Sequence, residues 1–258
     1  MRRVSIRGLS AGAVLVVATA CSASGSGRAV VQDRTRVDVL AIGDSLLYEA
    51  QVPLRAAMAG RLVVIRAVPG GALCDLARDV PGLLARFRPR TVVVESVANG
   101  LSPCIRGAGA LGSPAFTRQY RRDLRTVVRA ARAGGARVVV VDPPPVGALS
   151  ASSNPALTRL TRLWHSDQRR TVGVTFTAGP RNAVSDGGRY VASLPCDRSE
   201  TSRAECRDGR IAVRDDYFGL HFCPATYADA SAVRRGCAVY SSGARRFGRA
   251  IARAVRGG

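Results

Sequence analysis

Two residue types at opposite ends of the chain carry potential chemistry. A serine stands in Gly43-Asp44-Ser45-Leu46, directly behind an apolar run, and a histidine stands in Gly219-Leu220-His221-Phe222-Cys223-Pro224. A serine hydroxyl becomes a nucleophile only with a base in hydrogen-bond reach. The chain has two histidines, His165 and His221. His165 falls on a helical pattern, in Leu163-Trp164-His165, and reads as a surface or packing residue. His221 precedes the last helical stretch, in a loop that can return to a sheet edge, so it is the expected base. Attack on a carbonyl leaves charge on oxygen, which needs donors already aimed at it. The Ser45 N–H at a strand-to-helix turn is one. Gly70, in Val68-Pro69-Gly70-Gly71-Ala72, offers a backbone N–H, with Gly71 the near alternative. Asn99, in Val97-Ala98-Asn99-Gly100, offers a side-chain amide. Gly-Gly and Asn-Gly are common turn signals. Four such positions falling together past strand ends favour a site over isolated turns.

The elements that must position these residues alternate. The patterns predict strands over Val37–Ile42, Leu62–Ile65, Thr91–Ser96, Val138–Val141 and Val172–Thr177. Between them they predict helices over Pro53–Ala59, Leu76–Phe87 (interrupted by Pro81 and Gly82), Ala115–Ala133 and Pro155–Ser166, with a last, arginine-rich helix over Ser241–Val255. The segment 182–215 reads as loop. Near-continuous apolar strands with intervening helices imply a parallel sheet covered on both faces. The expected fold is therefore a three-layer α/β/α sandwich around about five parallel strands, in one domain spanning 37–258.

Residues 1–21 read as an export signal: Arg2, Arg3 and Arg7, then the apolar stretch Ala11–Ala18, then the small-residue pattern Ala18-Thr19-Ala20. Cys21 follows at once, as in a lipoprotein signal, where the cysteine takes the lipid. Plain cleavage after Ala20 or a retained anchor are the alternatives. Residues 22–36 read as a tether. Seven cysteines are present, and lipidation of Cys21 would leave six for three bridges. Pairing in sequence order gives Cys74–Cys104, Cys196–Cys206 and Cys223–Cys237, the simplest of the connectivities six cysteines allow. The chain has no Cys-x-x-Cys pair and few histidines, so a metal site is not expected.

All 39 basic side chains are arginine, and the formal net charge is +21. Coding bias accounts for arginine in place of lysine. The charge still favours polyanionic surroundings, such as acidic wall polymers or anionic lipid. Aromatic residues are only 5% of the chain and nucleic-acid motifs are lacking, so nucleic acid is not the expected partner.

On Gly43-Asp44-Ser45-Leu46, Gly70, Asn99 and His221, in that order, the chain resembles the SGNH (GDSL-type) hydrolase family. Ala72-Leu73-Cys74-Asp75 and His221-Phe222-Cys223-Pro224 resemble its exported actinobacterial branch. The resemblance runs from about Val37 to the C-terminus. It implies a flavodoxin-like SGNH fold and hydrolysis of ester or acyl groups without metal or cofactor. The third block departs from the family's Gly-x-Asn-Asp. The last block departs more, because the family has Asp-x-x-His and Phe218 stands in the aspartate place. A phenyl ring cannot hold an imidazole tautomer. Asp216 or Asp215, slightly upstream, would orient His221 if the loop bulges; otherwise a backbone carbonyl does, leaving a Ser-His dyad. The expectation is an exported serine esterase at the envelope, acting on a short acyl ester such as acetyl on a glycan. The alternatives are an acyltransferase, or a non-catalytic polysaccharide-binding protein that keeps the fold.

Overall fold

The computed structural model describes residues 36–147, 152–214, 219–223, 237 and 240–257. The export signal with Cys21, nearly all of the tether, and Asp215, Asp216 and Phe218 lie outside the described residues. Among the described residues no helix is long and apolar enough to cross a membrane.

Five parallel strands form the sheet: β1 (Val39–Gly43), β2 (Val63–Ala67), β3 (Thr91–Val94), β4 (Arg137–Val141) and β5 (Val174–Thr177). Their order is β2-β1-β3-β4-β5. Val39 pairs with Val63 on one side and with Thr91 on the other, so the carboxyl ends of β1, β2 and β3 lie along one edge. The helices are α1 (Ser45–Ala57), α2 (Leu73–Phe87), α3 (Pro114–Ala133), α4 (Asn154–Gln168), the short α5 (Gly179–Ala183) and α6 (Ser242–Arg256).

Strand side chains alternate between faces, and the core divides accordingly. Leu40, Ile42, Val92, Val94, Val138 and Val140 pack with the buried faces of α2, α3 and α4. Val39, Ala41, Val93, Val139 and Val141 pack with α1 and α6. Each fully buried Leu, Ile, Val or Phe contributes about 1.5–3 kcal/mol, so both layers are held chiefly by apolar burial. At Gly248 a Cβ would lie 2.9 Å from the Leu54 amide nitrogen and 3.0 Å from the Ala50 carbonyl, so glycine lets α6 approach the α1 backbone.

Two helices differ from the sequence expectation. α1 starts at Ser45 rather than Pro53, because Asp44 caps it: its carboxylate accepts the Leu46 N–H at 3.2 Å. α2 runs through Pro81 without interruption and starts at Leu73, where Asp75 reaches back to the Ala72 N–H at 2.9 Å. The segment expected to be loop begins inside the last turn of α5 and contains a two-stranded antiparallel hairpin, β6 (Ser193–Pro195) with β7 (Arg210–Ala212).

Three disulfides, Cys74–Cys104, Cys196–Cys206 and Cys223–Cys237, pair in sequence order. The loop closed by Cys196–Cys206 docks on α6 through Glu200, whose fully buried carboxylate meets Arg246, Arg245 (3.3 Å) and the Ser242 hydroxyl. Burial alone would raise that carboxyl, but Arg246 and its other donors outweigh burial and hold it down to about 2.

Candidate active site

Ser45 is the first residue of α1, immediately after β1 and Asp44, and is only 4% exposed. This places its hydroxyl at the carboxyl edge of the sheet, where open α/β folds collect ligands. Gly43 permits the turn. A Cβ there would lie 2.6 Å from Glu95 Oε2 and 2.8 Å from Leu47 Cβ.

Asp44 organises the edge. Its Oδ2 accepts from the Val97 N–H at 2.7 Å and from Asn99 Nδ2 at 3.2 Å, while its own N–H donates to Glu95 Oε2 at 3.1 Å. Asn99 Nδ2 also donates to the Gly71 carbonyl at 3.2 Å, so the strand ends of β1, β2 and β3 meet in one hydrogen-bonded cluster. The Tyr120 hydroxyl, from the core face of α3, donates to the Asn99 carbonyl at 2.6 Å. Ala98, just before Asn99, has φ +61°, a left-handed conformation that costs a non-glycine residue about 1–3 kcal/mol and clusters at functional sites.

The turn Val68-Pro69-Gly70-Gly71 distinguishes the two glycines. Gly71 N–H donates to the Val68 carbonyl at 2.8 Å and is thereby used. Gly70 stands at φ +74° in the position of a type II turn that demands glycine, and it is exposed.

His221 reaches the site through a residue that sequence reasoning missed. Its Nδ1 lies 2.6 Å from Glu49 Oε1. Glu49 Oε2 accepts two more bonds from the same loop, from Phe222 N–H at 2.6 Å and Cys223 N–H at 3.3 Å. The Glu49 side chain is fully buried. It follows Ser45 by four positions on α1, so the two lie one turn apart on one face. An acceptor carboxylate at Nδ1 puts the imidazole proton there and makes Nε2 the basic nitrogen. The Cys223–Cys237 bridge and a 2.5 Å bond from the Ser241 hydroxyl to the Phe222 carbonyl fix the loop from its other side.

Glu95 is the second residue the sequence reading passed over. It follows β3 and is buried against Asp44, with its Oε1 lacking a hydrogen-bond partner among the described residues. Burial first, then the charge of Asp44, holds its carboxyl well above the usual range. Burial also pushes Asp44 up to about 6, opposed by the Val97 and Leu46 N–H groups. Both carboxyls of this pair therefore hold their protons more tightly than exposed carboxyls do.

His165 lies elsewhere. Its Nε2 is 2.8 Å from Asp142 Oδ1 at the end of β4, and its ring packs 4.2 Å from Phe176.

A model of the family described as "Protein of unknown function (DUF459)" matches residues 38–213. The chain is similar in structure to a GDSL-like lipase from Bacteroides thetaiotaomicron, at 11% identity and TM-score 0.53, covering 88% of this chain and 90% of that one. It is also similar to the catalytic domain of peptidoglycan O-acetyltransferase A from Streptococcus pneumoniae, at 15% identity and TM-score 0.49, covering 86% and 94%. A third is a carbohydrate acetylesterase family member from Sinorhizobium meliloti, at 15% identity and TM-score 0.48, covering 85% and 99%. The first likeness shows that the fold is that of the SGNH/GDSL hydrolases. No curated protein matches the sequence.

Proposed function

We propose that this chain, which belongs to the DUF459 family, is an exported serine esterase in which Ser45, His221 and Glu49 form the catalytic triad. The observation that carries this reading is the 2.6 Å contact of His221 Nδ1 with a buried carboxylate one helical turn from Ser45. The non-catalytic reading drew on Phe218 in the aspartate place. Glu49 supplies that missing carboxylate from another element.

Ser45 Oγ attacks the ester carbonyl carbon while its proton passes to His221 Nε2. Glu49 accepts the Nδ1–H bond and offsets the imidazolium charge. The tetrahedral oxyanion takes hydrogen bonds from the Ser45 and Gly70 N–H groups and from Asn99 Nδ2, which exchanges its bond to the Gly71 carbonyl for the oxyanion and keeps its bond to Asp44. The intermediate collapses, the C–O bond to the alcohol breaks, and the alcohol leaves with the proton held on His221. Water then attacks the acyl-enzyme by the same steps, releasing the acid and restoring Ser45.

The substrate proposed is a short acyl ester, such as acetyl on an envelope glycan. The export-signal pattern and the net charge of +21 support an anionic envelope as its setting. Transfer of the acyl group to a glycan hydroxyl would use the same acyl-enzyme with a sugar in place of water. The test is p-nitrophenyl acetate turnover with fluorophosphonate labelling. Wild type turns over and labels, whereas Ser45→Ala does neither; equal turnover by the alanine variant would refute the assignment.

A further inference from the structure

A cleft of about 290 Å³ opens beside the His221 loop, between Pro143-Pro144-Pro145 after β4, the start of α4, and the segment from Arg181 to Tyr190. Its place ties it to the site. Gly147, two residues past the proline run, donates its N–H to the Gly219 carbonyl at 3.0 Å, and Gly219 lies two residues before His221. The Tyr190 ring packs against both glycines, closing the cleft on that side.

The chemistry of the walls is one-sided. Arg181 and Arg189 line the cleft, and among the described residues no carboxylate does. The other polar side chains are largely engaged. Asn154 exchanges two hydrogen bonds with the Val146 backbone, at 2.9 and 2.6 Å, and the Thr161 hydroxyl donates to the Leu157 carbonyl at 2.9 Å. Arg189 pairs with Asp186 at 3.5 Å. The half-buried Arg181 guanidinium makes one long hydrogen bond, from one terminal nitrogen to the Gly188 carbonyl at 3.3 Å, and has no ion pair among the described residues. Arginine has five N–H donors in a planar fork that matches carboxylate and phosphate oxygens. Against an apolar proline wall, these spare donors select an anionic group.

We propose that this cleft is an anion subsite centred on Arg181, and that the preferred substrate is an ester carrying a carboxylate or phosphate beside the scissile bond. Its place in turnover rests on the hydrolase reading above; the binding of the anion does not. The cleft lies toward β4 and the His221 loop, so the anion belongs to one side of the ester. Acyl and alcohol placements share one chemistry and separate by experiment.

Three esters serve: p-nitrophenyl hemisuccinate with the charge on the acyl part, 4-acetoxybenzoate with it on the alcohol, and neutral p-nitrophenyl acetate. One of the charged esters should be preferred over the neutral one. Arg181→Gln should lower that preference, as a ratio of kcat/KM values, by about tenfold or more and through KM, the scale of a lost charge-assisted hydrogen bond. Calorimetry with succinate on Ser45→Ala gives a readout free of turnover. Saturable binding is expected, and it should be lost in Ser45→Ala/Arg181→Gln. An unchanged ratio together with succinate binding that is absent or indifferent to Arg181 overturns the subsite while leaving the hydrolase intact. Arg181-dependent succinate binding without Ser45-dependent turnover overturns the hydrolase and leaves the subsite standing.

Discussion

Glu49 Oε1 lies 2.6 Å from His221 Nδ1, although 172 residues separate them in sequence. Ser45, the proposed nucleophile, and the carboxylate that meets the imidazole therefore belong to one helix, and only the imidazole arrives from elsewhere. A helix fixes the spacing of residues four apart far more tightly than a loop does. The same carboxylate holds two loop amides, so it both docks the loop and sets the ring.

Glu49→Gln should therefore lower kcat by about 10⁴, the loss seen when the orienting carboxylate of a serine protease is made an amide. Asp215→Asn and Asp216→Asn should each stay within a few-fold of wild type. Steady-state kinetics on p-nitrophenyl acetate with the three variants checks this, and a large loss in Asp216→Asn with little loss in Glu49→Gln would reverse the assignment.

Asn99→Ala should reduce kcat by about 10²–10³, the scale of one oxyanion donor, with a much smaller change in KM. Fluorophosphonate labelling of Ser45 should slow but persist. A thermal melt run beside the kinetics separates this from lost folding, because Asn99 also links Asp44 to Gly71.

Much of this candidate site was legible in the sequence because each block is local. Ser45, Gly70 and Asn99 each follow an apolar strand closely, and parallel strands in one sheet bring such positions to one edge. Glu49 was hidden by the placement of the first helix at Pro53. Once Asp44 is seen as the cap, Glu49 falls one turn beyond Ser45, between Leu46-Leu47-Tyr48 and Ala50, and a carboxylate there signals a buried partner. Glu95 was passed over inside the strand expected over Thr91–Ser96, which ends at Val94. The hairpin of β6 and β7 was unreadable because its strands are three residues each, too short for an alternation to register. The disulfide order was readable because each cysteine pairs with the next one in sequence.

Glu95→Gln should stabilise the fold at alkaline pH. Asp44 and Glu95 hold protons that the unfolded chain, with ordinary values of 3.8 and 4.5, has released, so the folded state binds more protons and stability falls as pH rises above that range. For Asp44 the loss is complete above about 6; Glu95, raised well above its ordinary value by burial and by Asp44, loses stability in the same direction. Glutamine copies the protonated acid and removes the Glu95 part of that loss. The urea midpoint of the variant should exceed wild type at pH 8, by on the order of 1 kcal/mol or more in stability, and the gain should shrink by pH 5. A gain independent of pH would refute the protonation assignment.

Glu200→Gln should act with the opposite sign. The Glu200 carboxyl is lowered from 4.5 to about 2, so its stabilisation is present above 4.5 and disappears as pH falls through 2. At pH 7 the variant should lose roughly 3 kcal/mol, the scale of leaving a buried charge unpaired. Wild type and variant should converge in urea midpoint near pH 2.

The Cys223–Cys237 bridge closes on the carboxyl side of His221 and before α6. A protease that cut the chain between these two cysteines would leave a two-chain protein joined by sulfur. Ser45, Glu49 and His221 would all remain on the amino-terminal fragment, and α6 would stay attached to it. Release of that helix on a denaturing gel would then require a reductant as well as the cut.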